Sequence, residues 1–106
     1  MSIPLVDLLG LSGGLFALGI FGIITRRNFI LLLISVEIVM NAAILNFLAF
    51  AYYPPAPGLG GVTGQSVAVV LVGLAATEVA VGLAIVLALN RLRGTINVAE
   101  AIQLKL

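Results

Sequence analysis

The chain has 106 residues, 62% of them hydrophobic and only 8% charged, with a net charge of +1. Soluble domains carry about a quarter of their residues as charges, so this composition excludes one, and so small a net charge gives no reason to expect a nucleic-acid partner. Cysteine and histidine are absent, which excludes disulfides, Cys or His metal sites and axial histidine ligation of haem.

A membrane-spanning helix needs about 20 apolar residues. Three runs meet that length, at 5–25, 29–51 and 66–90. The tail 91–106 is too short and too polar for a fourth. The expected fold is an all-α membrane protein with three transmembrane helices in a single membrane domain.

The start, MSIPLVDLLG, holds an acid and no basic stretch, which argues against a signal peptide. Asp7 is expected at the membrane boundary in a structural role. The first helix is rich in glycine, and Gly10 and Gly14 form one GxxxG pair. Such a pair arises easily in so glycine-rich a helix. It points to packing more than to a homodimer. A turn of Arg26, Arg27 and Asn28 follows.

The second run, NFILLLISVEIVMNAAILNFLAFAYY, contains Glu37. A charged side chain at mid-membrane costs about 2.5–3.5 kcal/mol on insertion scales, which makes it a functional candidate by default. Asn41 follows one turn later on the same face. Its amide has two readings, a hydrogen-bonding or water-holding partner for the carboxyl and a helix–helix contact. Ser35 and Asn46 point elsewhere and receive no role. Pro54 and Pro55 end this helix and open an uncharged loop, YYPPAPGLGGVTGQS.

The third run, SVAVVLVGLAATEVAVGLAIVLALN, contains Glu78 at its centre. Ala76, Ala80, Ala84 and Ala88, with Gly73 one turn earlier, form a small-residue ridge about 160° from Glu78. This spacing suggests one face packing on a neighbour and another presenting the acid, beside Leu71, Leu74, Ala75, Gly82 and Ile85. Gly94 is the expected helix stop. In the tail, Asn97 and Glu100 have capping-box spacing, and Val98, Ala101, Ile102 and Lys105 would line a short amphipathic helix.

In a three-span arrangement all five basic residues, Arg26, Arg27, Arg91, Arg93 and Lys105, fall on one side. The positive-inside rule then puts the N-terminus outside and the C-terminus in the cytoplasm. Tyr52 and Tyr53 sit at the opposite interface, as an aromatic belt requires.

Neither long run contains Lys, Arg or His. Glu37 and Glu78 must therefore be protonated, hydrated or paired with another subunit, and all three states suit proton handling. Counted from the span centres, Glu37 lies about 4–5 Å to the cytoplasmic side. Neighbouring helices lie about 8–10 Å apart, so converging faces would let one or a few waters join the two carboxyls. Two separate acids, each paired to a base on another subunit, are the other reading.

The segments RRNFILLLISVEIVMNAAILNF and AATEVAVGLAIVLALNRLR carry a family resemblance. The first has paired arginines, a glutamate, and an asparagine one turn later in an E-x-x-x-N-A pattern. The second has a glutamate in Ala/Val-rich, Gly-containing sequence with a basic end. Together they resemble subunit K of bacterial complex I, the small three-helix membrane subunit of the NADH:quinone oxidoreductase family, over essentially the whole chain. The resemblance implies a subunit of a proton-translocating enzyme that is not catalytic alone and holds no cofactor or metal, quinone and redox centres lying in other subunits. Its implied partners are the quinone-side and antiporter-like subunits of the membrane arm and the lipid bilayer. Its implied location is a plasma (inner) or thylakoid-type energy-transducing membrane. Glu37 and Glu78 match the glutamates of the family's proton pathway, Asn41 matches the asparagine of its E-x-x-x-N-A pattern, and Arg26 and Arg27 match its functionally important loop arginines. The proline-rich middle loop departs from many relatives but touches no matched motif. Two alternatives are the small subunit of a multi-subunit cation/proton antiporter and, further off, a small multidrug/proton transporter. The latter has four helices and a glutamate in the first, which this chain lacks.

Overall fold

The structure, a computed structural model, describes residues 3–53, 62–94 and 96–99. They form α1 (Leu5–Thr25), α2 (Phe29–Tyr52) and α3 (Val62–Arg93). All three helices are long and apolar enough to cross a membrane, so the chain is an all-α membrane protein. The first two match the expected spans almost to the residue. The third is longer than 66–90. Val62–Gln65, expected in the loop, are helical because the prolines lie upstream and Gly64 packs against Ala51. At the other end the helix continues through Arg91 and Arg93, whose charges suit a helix C-terminus, and stops at Gly94. Gly94 has φ +69°, the left-handed conformation that glycine tolerates best, and donates its N–H to Asn90 O at 2.8 Å.

Each helix start has a local cause. Pro4 stands at the N-cap of α1 in extended conformation, with Asp7 in the first turn, where a negative charge complements the helix dipole. Asn28 caps α2: its Oδ1 accepts from Ile30 N–H at 2.8 Å and from Leu31 N–H at 3.4 Å.

α1 and α3 pack on roughly opposite faces of α2. Small residues make both contacts. α1 buries Ser12, Gly19 and Gly22. Ser12 Oγ donates to Ala42 O at 2.8 Å. Gly22 lies so close to Ser35 that a methyl group there would overlap the serine side chain. Gly10, Gly13 and Gly14 have open space beside them, so the GxxxG pair is not the α1–α2 contact. Ser35, given no role by sequence pattern, is buried in this crossing, its hydroxyl bonded to Leu31 O at 2.9 Å. The α2–α3 seam buries Ala51, Ala68, Ala75 and Val86. In lipid, where hydrophobic burial drives no helix association, such close backbone approach is what holds helices together.

The ends are tied as well. Tyr53 Oη donates to Ile3 O, joining the end of α2 to the start of α1. The Tyr53 and Tyr52 rings meet edge to face at 4.8 Å. At the basic end α3 runs about two turns past the start of α2. The chain turns at Gly94 and returns to the α1–α2 link. There Phe29 N–H donates to Ile96 O at 2.8 Å, Val98 N–H donates to Arg27 O at 2.7 Å, and Asn28 and Asn97 form an antiparallel bridge. Asn97 Oδ1 accepts from Ala99 N–H at 3.0 Å, starting a helical turn at Val98 as its spacing suggested. Glu100 and the rest of that expected helix lie outside the described residues.

Candidate functional site

Two contacts fix the register of α2 against α3. Gly82 lies against Leu33, where an added Cβ would be 2.7 Å from Leu33 Cδ1, and Gly64 lies against Ala51. The contacts agree, since Ala51 is eighteen residues after Leu33 and Gly64 eighteen before Gly82. Eighteen residues are five full turns at 3.6 per turn, so each pair marks a straight line along its helix. Four residues on from Leu33 is Glu37, and four back from Gly82 is Glu78. The two carboxylate-bearing positions are therefore level. The expected offset of about 4–5 Å is absent, because it assumed helices aligned centre to centre, whereas α3 overhangs α2 at the basic end.

The same lines show where each acid points. Glu37 is displaced about 40° from the seam in the direction of the chain, and Glu78 about 40° against it. In antiparallel helices these displacements fall on opposite sides of the seam. Glu37 lines a groove of about 300 Å³ with Ile30, Leu33, Ile34, Ile38, Val79 and Leu83, and Glu78 does not line it. Thus the structure brings the two acids to one depth and directs them to opposite faces of the helix row.

Their surroundings differ. Glu37 is half-buried, and its groove is otherwise apolar. Glu78 is exposed on the subunit surface. Among the described residues neither has a hydrogen bond or an ion pair. Thr77, beside Glu78, spends its hydroxyl on Gly73 O at 2.9 Å. Asn41 sits one turn from Glu37 on the groove side of α2 and is exposed, with no hydrogen bond to the carboxyl. A charge on either acid would be costly to hold in lipid without a proton, water or a group from another chain.

The small-residue ridge of α3 has the reverse of the simplest assignment. Ala75 and Gly82, on the Glu78 side, pack against α2, while Ala76, Ala80, Ala84 and Ala88 are exposed. Among the described residues nothing covers that ridge. Arg26 and Arg27 are exposed at the basic end, in the link that residues 96–98 bridge. Among the described residues no three His, Cys, Asp or Glu side chains come together as a metal site.

Residues 7–105 match the family described as NADH-ubiquinone/plastoquinone oxidoreductase chain 4L. Among curated proteins, the chain is 45% identical over 97 residues to NADH-quinone oxidoreductase subunit K of Anaeromyxobacter dehalogenans strain 2CP-C, covering 92% of this chain and 93% of that protein. It is 45% identical over 103 residues to the subunit K of Deinococcus radiodurans, covering 97% and 95%. The protein of the same name from Geobacillus sp. strain WCH70 is 41% identical over 104 residues, covering 98% and 97%.

Proposed function

Because the chain belongs to the NADH-ubiquinone/plastoquinone oxidoreductase chain 4L family, we propose that it is a membrane-arm subunit of a complex I-type quinone oxidoreductase and that Glu37 and Glu78 carry protons across it. In this reading the subunit holds no cofactor and is not catalytic alone. Quinone reduction takes place on other subunits, and this one links it to proton movement in an energy-transducing membrane.

The observation that carries the reading is the register of the α2–α3 seam. It sets two acids at one depth on backbones about 8–10 Å apart, facing opposite sides. That geometry serves a sideways step, in the membrane plane, rather than a path from one surface to the other. A proton or its electrostatic effect entering beside Glu37 leaves beside Glu78, or the reverse. A level pair facing two neighbours is what a subunit placed between quinone-side and antiporter-like subunits requires. We assign to Asn41, one turn from Glu37 on the groove side, the role of orienting water near that acid.

The test is Glu37→Gln in the whole complex. The amide keeps shape and most hydrogen bonding, loses the titratable proton and lowers the cost of insertion. A structural role predicts tolerance. A relay role predicts an assembled complex that has lost most proton pumping and coupled quinone reduction, with partial recovery in Glu37→Asp and a milder loss in Glu78→Gln. Pumping is measured in inverted vesicles and normalised to assembled complex. Wild-type pumping in Glu37→Gln would overturn the relay.

A further inference from the structure

A second groove, of about 220 Å³, lies in the α1–α2 crossing. Its membrane-facing wall is apolar, built from Leu18, Phe21, Leu31, Ile34 and Ile38, and one charged side chain, Arg26, lines its basic end. Leu18, Phe21, Leu31, Ile34 and Arg26 are all exposed. From Leu18 to the end of α1 at Thr25 is seven steps of helix, about 10 Å, and the extended cap Arg26 adds about 2–3 Å, close to the ~15 Å depth of one leaflet's hydrocarbon. Arg27 adds a second exposed cation at the same end, and among the described residues neither arginine has a carboxylate partner. Cation above, apolar trough below, one leaflet deep: these match the parts of an amphiphile with an anionic head.

From this match we propose that the groove is a binding site for an anionic phospholipid, its phosphate at Arg26 and Arg27 and one acyl chain against Leu18, Phe21, Ile34 and Ile38. Charge complementarity selects the occupant. A zwitterionic lipid brings no net charge to the arginines, and an apolar helix of another subunit leaves them unmatched at the surface. Ile34 and Ile38 also line the Glu37 groove, so the bound chain lies across a single ridge of side chains from that acid. The proposal does not depend on the relay: the site exists in this helix packing whether or not Glu37 carries protons.

The test uses the intact complex in liposomes containing a trace of phosphatidylglycerol with a photoreactive group midway along one acyl chain. A parallel sample carries the same label on phosphatidylcholine. Peptide mapping is expected to place the phosphatidylglycerol label on Leu18, Phe21, Ile34 or Ile38, about fivefold above phosphatidylcholine. Arg26→Gln should bring the two lipids to the same level, and Arg26→Lys should preserve the difference. Ile34→Trp, which fills the groove and leaves the arginines in place, should remove the label from a complex that still assembles. Equal labelling by the two lipids in the wild type would overturn the proposal. So would undiminished selectivity in Arg26→Gln, or a wild-type groove that takes up neither lipid because another subunit covers it.

Discussion

Gly22 and Ser35 show how little room the α1–α2 crossing leaves. A Cβ at Gly22 would overlap both Oγ and Cβ of Ser35. Gly22→Ala should therefore force the helices apart and cost about 1–3 kcal/mol, the usual price of overpacking. It should appear as less assembled complex and a lower midpoint in thermal unfolding of the detergent-solubilised complex. Ser35→Ala combined with Gly22→Ala should recover only part, since the serine Cβ remains in the way. Ser35→Gly combined with Gly22→Ala should recover most. Full stability of Gly22→Ala alone would show that this contact does not hold the helices. Sequence pattern could not select Gly22 from the five glycines of α1, because a helix so rich in glycine offers several small faces of equal merit. Only the partner distinguishes them, and Ser35 carried no signal of its own: its hydroxyl satisfies its own helix, as Thr25 and Thr77 do elsewhere.

The helices themselves were legible, because three apolar runs of spanning length, a charged turn, a proline pair and a terminal glycine are strong local signals. Glu37 and Glu78 were legible for the same reason, as charges where lipid penalises them. Their relation was not. Whether two acids on different helices are level, and whether they face each other, depends on a register set by Leu33 against Gly82 and Ala51 against Gly64, and no one of these residues stands out in the chain. The bridge between Arg27–Phe29 and Ile96–Val98 was equally hidden, since backbone-to-backbone bonds leave little mark on side-chain choice. This bridge separates two roles of the basic turn. Its hydrogen bonds use main-chain atoms and the Asn28 side chain caps α2, so the turn keeps its shape without either arginine side chain. The double variant Arg26→Ala, Arg27→Ala is therefore expected to insert and assemble, and we propose that it lowers electron transfer and pumping. The measurement is complex abundance beside quinone-reductase and pumping rates. Normal rates would leave the two arginines as markers of topology alone.

At the scale of the whole molecule, a row with α2 in the middle has two broad faces, one with the Glu37 groove and one toward which Glu78 points. Its buried side chains are small and its large apolar ones, such as Phe16, Phe21, Ile24 and Ile85, are exposed. Such a surface is stable in lipid or against other subunits and nowhere else. The four described arginines lie toward the end where the link and the tail meet, and we propose on the positive-inside rule that this end is cytoplasmic. A reporter fused after Leu106 is expected in the cytoplasm, and one inserted between Gly58 and Gly61, ahead of α3, outside. Both reporters on one side would contradict three spans.

The bridge also has a consequence in time. Asn28 and Asn97 are 69 residues apart in the chain yet pair directly. At a synthesis rate of about 5–20 residues per second, the basic turn is made several seconds before residues 96–98 exist. The first two spans must enter the bilayer with Phe29 N–H and Arg27 O bonded to water or lipid, and the turn settles only after α3 has been inserted behind it. A turn made in the first third of the chain thus reaches its final form only when residues 96–98 follow.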